Sequence, residues 1–397
     1  MGISALDMAS APGHVRAGVS LSVHQVIDHL LRLEGPERYS IFVDGSFEVP
    51  ESWRSNSRVA IVRPPRILSK RRVPWELLFA GAASFACKTD VWLSTSSTGA
   101  LYSRGRRVVL VHDLFPITHP QYYTARAARM NAIGARLSLP RASHVLTNSD
   151  FSRRELIRVL GIPSERISIL PFDISHANRP KRADEIDRPS LARLGVPFQR
   201  YFFALSTIEP RKNLPVLLEA VASLATELRA RSCGLVVAGA QGRKTGRVFD
   251  DVSRLGIEDL VAFLGYVQDE ALPLLFGGCE AFVCASAIEG FGLPVLEAHH
   301  FGAPVICSTG GALPEVAGPG ALMFEPDRPR ELSAHLRKFL LEGADRDRLV
   351  QAGRRHAAGF SWETAARITL EVLRGTPAPL DRAASRFSAA EAKDDET

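Results

Sequence analysis

Two glutamates in the segment EGFGLPVLE have the types and spacing best suited to chemistry. Glu289 falls where a strand gives way to a turn, and Pro294 suits the first turn of a helix that carries Glu297 one turn inside. A helix start offers free backbone N–H groups and a positive dipole end, which favour a phosphate. Carboxylates repel phosphate, so these two are suited to accept hydrogen bonds from the sugar and ribose hydroxyls beside it. Two surface glutamates are the alternative.

A pair of cations, Arg211 and Lys212, follows the predicted strand YFFAL in the segment STIEPRKN. The carboxyl end of a parallel strand is where open α/β sheets bind their ligands. A bidentate guanidinium and a compact ammonium together can neutralise a diphosphate leaving group without a metal. The alternative is a solvated pair of charges ahead of a helix.

A third polar site ends the apolar strand VVLV in the segment VVLVHDLFPITHP. His112 at this strand end is suited to hydrogen-bond a sugar hydroxyl or to steer an acceptor. Asp113 is expected to cap the turn that follows. A purely structural histidine is the alternative.

Other segments argue against metal, phosphate-loop and dinucleotide sites. The segment GAQGRKT lacks the spacing of a P-loop, and no GxGxxG follows the first strand. The string Asp345-Arg-Asp347 lies in a polar helical stretch rather than after an apolar strand. The five cysteines contain no CxxC and are expected to be buried, inert thiols. We therefore predict no metal site and no cofactor.

Alternating strand and helix patterns predict an α/β protein built from two doubly wound parallel sheets. The first series starts with a strand from Ile3 to Met8 and continues to ISILPF, and the second starts at YFFALST. A charged, proline-bearing stretch separates them, as in an interdomain linker. The predicted boundaries are 1–178 for the first domain, 179–199 for the linker, 200–375 for the second domain and 376–397 for a disordered tail.

Length and charge agree with two soluble domains. The 397 residues are 46% hydrophobic and 23% charged, which is enough for two cores. Residues 1–178 hold 22 basic and 14 acidic residues, a charge of +8, whereas residues 179–397 hold 27 and 29, a charge of −2. The basic half suggests a face that meets an anion. With no long apolar run and no signal-like start, we expect a cytoplasmic protein.

Several segments in a fixed order resemble the retaining glycosyltransferases of family 4. They span roughly residues 1–375, and the subset they most resemble contains bacterial mannosyl- and related hexosyltransferases of surface-polysaccharide assembly. The segments are VHDLFPITHP, RASHVLTNSDFSRREL, IPSERISILP, STIEPRKNL, VAFLGYVQDEAL, EGFGLPVLEAHHFGAPVICS, GALPEVAG and FSWETAA. The resemblance implies the GT-B fold, with two Rossmann-like domains facing across a cleft, the acceptor mainly on the first and the nucleotide sugar mainly on the second. The helix near FSWETAA is expected to pack back toward the first domain.

The resemblance also implies residue roles. Glu289 would contact the transferred sugar, Glu297 the ribose, and Arg211 with Lys212 the diphosphate. Gly18 would let the backbone of the loop after the first strand approach the phosphates, although AGVS departs from the usual glycine pattern there. Those expected to act in catalysis are Arg211, Lys212, Glu289 and His112. Further donor-binding positions are Gly290, Phe291, Gly292, Leu293 and, near the base, Tyr266.

The implied reaction moves a hexose from a nucleoside diphosphate sugar to an acceptor hydroxyl with retention at the anomeric carbon. Mannose from GDP-mannose is the expected donor, and a glycan or lipid-linked glycan the expected acceptor, with no metal or cofactor. The alternatives are a transferase that uses a rhamnose or glucose nucleotide, and a non-catalytic scaffold that binds nucleotide sugar or polysaccharide. A nucleic-acid partner is not expected, because no recognition motif accompanies the basic charge.

The basic excess of the first half is concentrated between residues 54 and 79. An apolar stretch from Val73 to Phe79, which includes Trp75, follows its cations. Cations beside aromatic side chains suit anionic headgroups, so the segment predicts peripheral contact with the cytoplasmic membrane face. A solvated loop ahead of a core helix is the alternative. The cations are Arg54, Arg58, Arg63, Arg66, Lys70, Arg71 and Arg72.

Overall fold

A computed structural model describes residues 1–6, 8, 18–65, 72–174, 188–242, 246–341 and 346–376. They form two compact units. The first unit runs from Met1 to Phe172 and includes residues 361–376, and the second runs from Asp173 to Phe360. Each unit is a parallel sheet with helices connecting its strands. The predicted pair of doubly wound α/β domains is therefore confirmed.

The first unit contains a parallel sheet in the order β3-β2-β1-β4-β5-β6-β7. Its central strands β1 and β4 are fully buried, as strands covered on both faces must be, whereas the edge strand β3 has no buried residue. Ile3 of β1 lies opposite Ile41 on one side and Leu93 on the other. The strands are β1 (Gly2–Ala5), β2 (Tyr39–Val43), β3 (Val59–Val62), β4 (Val91–Ser94), β5 (Arg106–Val111), β6 (His144–Thr147) and β7 (Ile167–Ile169).

The helices of the first unit pack apolar faces on this sheet. In the first helix, Val23, Val26 and Ile27 are buried at helical spacing. Thr124 and Ser149 cap two of the later helices through their hydroxyls. The helices are α1 (Gly18–Arg32), α2 (Glu51–Arg54), α3 (Arg72–Pro74), which continues through a π-helical turn (Trp75–Phe79) into α4 (Ala80–Ala86), α5 (Phe115–Thr118), α6 (Ala125–Ser138) and α7 (Asp150–Leu160).

The second unit repeats the strand order, with β10-β9-β8-β11-β12-β13. The strands are β8 (Arg200–Leu205), β9 (Cys233–Ala238), β10 (Val261–Gly265), β11 (Phe282–Cys284), β12 (Val305–Ser308) and β13 (Ala321–Phe324). The helices are α8 (Arg188–Arg193), α9 (Leu214–Ala222), α10 (Ala225–Ala230), α11 (Gly246–Leu255), α12 (Leu272–Gly278), α13 (Leu293–Phe301), α14 (Leu313–Ala317), α15 (Pro329–Leu341) and α16 (Arg346–Ala357).

In both sheets the strand order reverses in the middle, between β1 and β4 and between β8 and β11. Residues after the carboxyl ends of the two strands at such a reversal border the crevice where doubly wound sheets bind ligands. In the second unit, Phe203 of β8 lies beside Phe282 of β11. The fold therefore brings the segments after YFFAL and after FVC to one place.

The last helix, α17 (Trp362–Arg374), packs on the first unit, as the family resemblance implied, although the predicted boundaries counted residues up to 375 with the second domain. Trp362 is fully buried, and its ring lies 4.8 Å from that of Phe172. Arg106 donates hydrogen bonds to the carbonyls of Val372 and Leu373 at 3.2 and 2.6 Å. These contacts attach the end of the chain to the first sheet.

The linker boundaries also differ from the prediction. Residues 188–199, assigned to the linker, belong to the second unit because Leu191 of α8 is buried there and Arg188 bonds the carbonyl of Gln199. The second unit starts at Asp173 rather than after residue 178. The rest of the predicted linker, from 179 to 187, and the tail from residue 377 lie outside the described residues.

Candidate functional site

The loop after β8 carries Arg211 and Lys212 in a single 3-10 turn, Pro210–Lys212. Asn213 ends the turn in a left-handed conformation, with a φ of 55°. Its side-chain amide donates to the carbonyl of Pro326 at 2.7 Å, and α9 starts at the next residue. The turn that holds the two cations is therefore fixed at its exit.

The loop after β11 carries Glu289 and is bonded to the loops on either side of it. The N–H of Ala287 donates to the carbonyl of Arg211 at 2.8 Å, which joins it to the turn after β8. On the other side, the N–H of Glu289 donates to the carbonyl of Gly310, and the N–H of Ala312 donates to the carbonyl of Glu289. Backbone hydrogen bonds therefore set the position of the Glu289 carboxylate.

Gly311 is required beside Glu289 for a steric reason. Its φ is 72°, a conformation that side chains disfavour. A Cβ at this position would lie 2.3 Å from the carbonyl oxygen of Glu289. The GG pair of the segment GGALPEVAG thus allows two backbones to approach each other at the site.

Glu289, Arg211, Lys212 and Glu209 form one charged cluster. Arg211 Nη1 lies 2.5 Å from Glu289 Oε2, and Lys212 Nζ lies 2.5 Å from Glu289 Oε1. Arg211 Nη2 also pairs with Glu209 at 2.8 Å, and the hydroxyl of Ser286 donates to Glu289 Oε1 at 2.8 Å. Two cations and two carboxylates balance, so the cluster has no net charge.

The electrostatics of the cluster keep Glu289 ionised. Burial by itself would raise the pKa of this carboxyl, but the charges of Lys212 and Arg211 outweigh burial and lower the pKa to about 2. A carboxylate held in this way is a permanent anion at neutral pH. It orients both cations, because each has a short charge-assisted bond to a different oxygen.

Arg211, Lys212 and Glu289 are thus in direct contact. The sequence predicted each of these residues for the site but not the contact among them. The cations were expected to face a diphosphate alone and Glu289 to face a sugar. Instead both cations are neutralised within the protein, and an incoming diphosphate has to share them with Glu289. Lys212 Nζ has N–H groups to share, because among the described residues Glu289 is its one acceptor.

The turn after Glu289 leads directly into α13. Gly292 precedes the helix with a φ of 109°, and a Cβ there would lie 2.7 Å from the side chain of Leu313. Pro294 occupies the first turn, as predicted. Gly290 and Phe291 are buried, Phe291 against the ring of Phe360. Gly292 and Leu293 therefore present the start of a helix beside the charged cluster, where an anion is favoured.

Glu297 lies one turn inside α13 and is half-buried. Among the described residues it has no hydrogen bond or ion pair. Burial, with a smaller contribution from the charge of Asp269, raises its pKa to about 7. Glu289 and Glu297 therefore differ in kind: the first is a paired anion, and the second is a carboxyl with acceptor oxygens available to hydroxyl groups.

Tyr266 follows β10 and is 45% exposed. Gly265, with a φ of 68°, turns the chain there, and its carbonyl accepts from the N–H of Gly239 at 2.7 Å. The aromatic ring is therefore accessible for stacking, as a residue that contacts a base must be.

His112 directly follows β5 in the first unit and is buried. Burial lowers the pKa of its imidazole to about 4, so the ring is neutral at neutral pH. Its Nε2 has no hydrogen-bond partner among the described residues. Asp113 accepts from the N–H of Phe115 at 3.0 Å and so caps the next turn, as predicted.

Asn148, which the sequence analysis did not select, occupies the equivalent position one strand over. It follows β6, whose Thr147 lies opposite Val111 of β5, and its buried Oδ1 also has no partner among the described residues. A buried polar atom without a partner is costly unless a ligand or water supplies one. The sequence did contain a signal for Asn148, because the segment TNSD follows a strand in the same way that HD follows VVLV.

Gly18 differs from its predicted setting. It is the first residue of α1 rather than a loop residue, and its carbonyl accepts from the hydroxyl of Ser22 at 2.8 Å. Residues 9–17 lie outside the described residues. The close backbone approach to phosphates expected of that loop therefore stays a prediction.

The basic segment from 54 to 79 presents only part of the predicted surface, since Arg54, Arg72, Leu78 and Phe79 are exposed, and its contact with a membrane stays a prediction. Arg58 donates to the carbonyls of Leu31, Leu33 and Gly35, so it closes the end of α1. Arg63 donates to backbone carbonyls in the same way. Trp75, expected at the headgroups, is buried. Arg66, Lys70 and Arg71 lie outside the described residues.

Among the described residues, no three His, Cys, Asp or Glu side chains group as a set that could hold a metal ion. Asp347 lies in the first turn of α16, and Asp345 lies outside the described residues. The five cysteines are free thiols. Burial raises the pKa of Cys279 and Cys233 to about 12, which fits the inert thiols predicted.

Comparison with known proteins identifies the family. The family model described as Glycosyltransferase Family 4 matches residues 16–172, and the model described as Glycosyl transferases group 1 matches residues 196–356. The O-antigen chain mannosyltransferase B of Escherichia coli is 36% identical over 258 residues, which cover 65% of this chain and 67% of that protein. The chain belongs to glycosyltransferase family 4. The resemblance inferred from the motifs is confirmed, and the protein is a glycosyltransferase.

Other relatives extend the likeness to the whole chain. The D-inositol 3-phosphate glycosyltransferase of Kineococcus radiotolerans is 31% identical over 322 residues, covering 74% of this chain and 72% of that protein. HepE of Anabaena, solved in complex with UDP and glucose, has a TM-score of 0.71 at 18% identity and covers 94% of this chain and 100% of that one. WaaG, a glycosyltransferase involved in lipopolysaccharide biosynthesis, has a TM-score of 0.69 at 15% identity and covers 94% of this chain and 100% of that one. These structures show the fold, GT-B.

Within this glycosyltransferase, sequence reasoning found the principal charges of the second unit but missed the residues that hold them. Glu209 and Ser286 bond directly to the charged cluster, and Gly311 packs on Glu289. Glu209 stands in the quoted segment STIEPRKN, two residues before Arg211. Its bond to Arg211 is local, but the sequence offered no reason to separate it from an exposed loop carboxylate.

Proposed function

We propose that this glycosyltransferase moves mannose from GDP-mannose to a hydroxyl of a glycan or lipid-linked glycan, with retention at the anomeric carbon and without a metal. The observation that carries the proposal is the charged cluster around Glu289, at the carboxyl edge of β8 and β11 and beside the start of α13. A cluster of this kind suits a leaving group that gains negative charge as the sugar bond breaks.

Arg211 and Lys212 stabilise the departing diphosphate. The bonds to Glu289 hold both cations in place before the donor arrives, so no reorganisation is needed as charge develops. In the ground state the cluster is neutral, which limits how tightly it binds the donor. As charge builds on the leaving oxygen, the cations interact more strongly with it, and this difference favours the transition state over the ground state.

Glu297 binds the ribose hydroxyls. Its carboxyl is one helical turn from the start of α13 and has no partner in the part of the chain that the structure describes, so it can accept hydrogen bonds from two neighbouring hydroxyls. With a pKa of about 7, it titrates in the physiological range. Binding of two hydroxyls favours the ionised form, so nucleotide binding lowers this pKa.

The acceptor or the transferred sugar meets His112 and Asn148. A neutral imidazole with an unpartnered Nε2 and an amide oxygen without a donor are suited to hydroxyl groups rather than to anions. The two residues follow neighbouring strands, so one sugar ring is of a size to engage both.

Retention is proposed to proceed by front-face departure, in which the leaving phosphate takes the proton of the attacking hydroxyl. Glu289 is unsuited to be a nucleophile, because Arg211, Lys212 and Ser286 already bond its two oxygens. Two-carboxylate glycosidase chemistry requires one carboxyl to attack and the other to donate a proton. The family resemblance, rather than a structural feature, supplies the front-face route.

Donor and acceptor are proposed from the relatives. The Escherichia coli relative is an O-antigen chain mannosyltransferase, which favours a mannosyl donor and a polysaccharide acceptor on the cytoplasmic face of the membrane. HepE was solved with UDP and glucose, so a glucose nucleotide is the donor to test against GDP-mannose. We propose a cytoplasmic enzyme that associates peripherally with that membrane.

The test is transfer by the purified full chain from GDP-mannose, UDP-glucose and a rhamnose nucleotide to a panel of glycan and lipid-linked acceptors, each with and without EDTA. The expected result is a mannosylated product whose anomeric configuration, read by NMR, matches that of the donor. Loss of activity in EDTA that added metal restores would contradict the metal-free reaction. An inverted product would contradict retention. Nucleotide-sugar binding without transfer to any acceptor would favour the scaffold alternative.

A further inference from the structure

Exposed apolar side chains are concentrated in one part of the first unit. Seven of the twelve large apolar residues that are exposed in the described chain lie between residues 78 and 137. They belong to the helical segment Arg72–Ala86, to α6 and, in the case of Tyr102, to the connection between β4 and β5. The seven are Leu78, Phe79, Phe85, Tyr102, Met130, Ile133 and Leu137. Scattered exposed apolar residues need no explanation, but a group of this size does.

Helix α6 presents an apolar stripe to solvent. Met130, Ile133 and Leu137 are 36%, 47% and 41% exposed. At 100° per residue they project within about 60° of one another. The opposite side of the helix, with Gly134 and Ala135, is buried against the unit. The stripe therefore contributes nothing to the core, and folding of this unit does not explain it.

Arginines flank the stripe. Arg126, Arg129 and Arg136 are exposed on the same side of α6, and the helix contains no acidic residue. Within the described part of the chain, none of the three has an ion pair or hydrogen bond. Elsewhere on the surface, arginines such as Arg158 and Arg229 pair with carboxylates. The α6 arginines thus form a cationic row without an internal counter-charge.

The neighbouring helical segment Arg72–Ala86 adds further apolar groups. It lies beside α6, because a Cβ at Gly134 would be 3.0 Å from the side chain of Val73. Leu78 and Phe85 are more than half exposed, and the hydroxyl of Tyr102 donates to the carbonyl of Leu78 at 2.7 Å. The one acidic residue of the segment, Glu76, is buried and accepts from Ser94 at 2.6 Å.

We propose that the outer face of α6, together with the exposed side chains of Arg72–Ala86, is a docking surface for an anionic lipid bilayer. Long apolar side chains can insert between headgroups, while arginines with flexible stems reach lipid phosphates. Charge complementarity selects the lipid, because Arg72 and the three arginines of α6 are exposed and neither element presents a carboxylate to solvent. A protein partner would be expected to meet some acidic groups in the patch.

The mode of contact follows from helix length. Helix α6 has 14 residues, about 21 Å, which is too short to span a bilayer. No helix in the described residues is both long and apolar enough to cross one. The surface therefore lies along the membrane plane. It shares residues 72–79 with the 54–79 segment predicted from sequence and adds α6, whereas Arg58 and Arg63 of that segment bond the backbone.

The docking surface rests on the proposal of a lipid-linked acceptor. Sedimentation of the full chain with vesicles tests the surface separately from the reaction. The probes are vesicles of phosphatidylcholine alone and of equal parts phosphatidylcholine and phosphatidylglycerol. The expected result is binding to the anionic vesicles only. Replacing Arg126, Arg129 and Arg136 by Gln should weaken that binding about 100-fold, since each cation near the surface contributes about 1 kcal/mol. The vesicle binding that remains at high salt is expected to come from the apolar side chains. Replacing Ile133 and Leu137 by Ser should therefore weaken it.

A matched control replaces three exposed arginines of the second unit, Arg231, Arg330 and Arg355, by Gln. This variant has the same change of net charge and is expected to bind vesicles as the wild type does. The proposal is wrong if the wild type ignores anionic vesicles, if the control loses as much binding, or if the α6 variants lose none. Circular dichroism melting confirms that each variant is folded.

The failure of this proposal is distinguishable from failure of the proposed reaction. With a water-soluble glycan acceptor, the α6 variants should transfer sugar at the wild-type rate. Vesicle binding without transfer of any sugar would leave the surface intact and contradict the reaction. If the wild type ignores vesicles but forms a defined complex with itself that the α6 variants abolish, the surface is a protein interface and the lipid assignment is wrong.

Discussion

The carboxyl edges of the two sheets differ in chemistry although the sheets share one strand order. The edge of the second unit carries the charged cluster, in which every ionised group is paired. The edge of the first unit carries His112 and Asn148, which are neutral, buried and each have an unpartnered polar atom. The edge of the second unit suits a ligand group that gains negative charge. The edge of the first unit suits hydroxyl groups that donate hydrogen bonds.

The proposed reaction assigns a different substrate to each of these two edges. Paired ions hold their geometry before the ligand arrives, whereas unpartnered acceptors are satisfied only when a hydroxyl arrives. We therefore expect changes at the second edge to affect turnover most, and changes at the first edge to affect acceptor use. The predictions below test that division in order of decreasing effect.

The largest effect is expected from Lys212→Ala. Removing a preorganised cation from the leaving group should lower kcat by about 100- to 1000-fold with a smaller change in KM for the donor. Steady-state kinetics of the purified enzyme would measure both. Lys338→Ala, a lysine of α15 outside the site, is the control. An equal rise in KM with unchanged kcat would mean that Lys212 only binds the donor, and the preorganisation argument would fail.

Gly311→Ala should destabilise the second unit. A side chain at a φ of 72° is strained, and its Cβ would meet the Glu289 carbonyl at 2.3 Å, so we expect a loss of about 2–4 kcal/mol in the free energy of unfolding. Chemical denaturation measures it. Gly256→Ala is a matched control, since Gly256 has a φ of 65° but open space around it. Equal losses of unfolding free energy in both variants would mean that the contact between a Cβ at residue 311 and the Glu289 carbonyl adds no cost beyond the backbone strain.

His112→Ala should affect acceptor use and leave nucleotide affinity unchanged. Loss of the Nε2 acceptor is expected to lower kcat/KM for the acceptor by about 10- to 100-fold, and Asn148→Ala by about tenfold. Acceptor titrations at saturating donor, together with calorimetry of GDP binding, separate the two effects. His144→Ala is the control. That histidine, at the start of β6, is also neutral, but its Nε2 is hydrogen-bonded to the hydroxyl of Ser168. If GDP affinity falls instead, His112 belongs to the donor side.

Glu297 should make nucleotide binding depend on pH. With a pKa of about 7, it is ionised above that pH, so GDP affinity is expected to rise by about tenfold between about pH 5.5 and about pH 8.5. Isothermal calorimetry across this range measures the rise. Glu297→Gln should flatten it. A wild-type affinity that is constant with pH would contradict the ribose role.

The same carboxyl gives the smallest expected effect, on stability. Its pKa is raised above the ordinary value of 4.5, so the folded state favours the protonated form, and stability falls as pH rises from about 4.5 to about 7. Glu297→Gln should therefore stabilise the protein by about 1–2 kcal/mol at pH 8 and by almost nothing at pH 4. Thermal unfolding at the two pH values checks the sign. Glu289 should behave in the opposite way, losing its stabilising charge as pH falls toward 2.

Most of the fold was predictable because its signals are local. Apolar strands such as VVLV and helices such as α7, with a serine cap and a glycine stop, are encoded in stretches of a few residues. The boundaries were less predictable. The last helix joins the first unit because Trp362 fits beside Phe172, and no periodicity within FSWETAA indicates where that tryptophan packs.

The sequence by itself determined which residues are candidates for the chemistry and that Arg211, Glu289 and His112 come after the carboxyl ends of strands. Only the tertiary structure decided which of them meet. Arg211 and Glu289 are 78 positions apart in the chain and pair because β8 and β11 are neighbours where the strand order reverses. In the same way, Arg58 bonds inward to the end of α1, while α6 leaves its arginines and apolar stripe outward. Spacing along the chain fixes which face of an element a side chain occupies, but the neighbours of that face are set by the packing of distant segments.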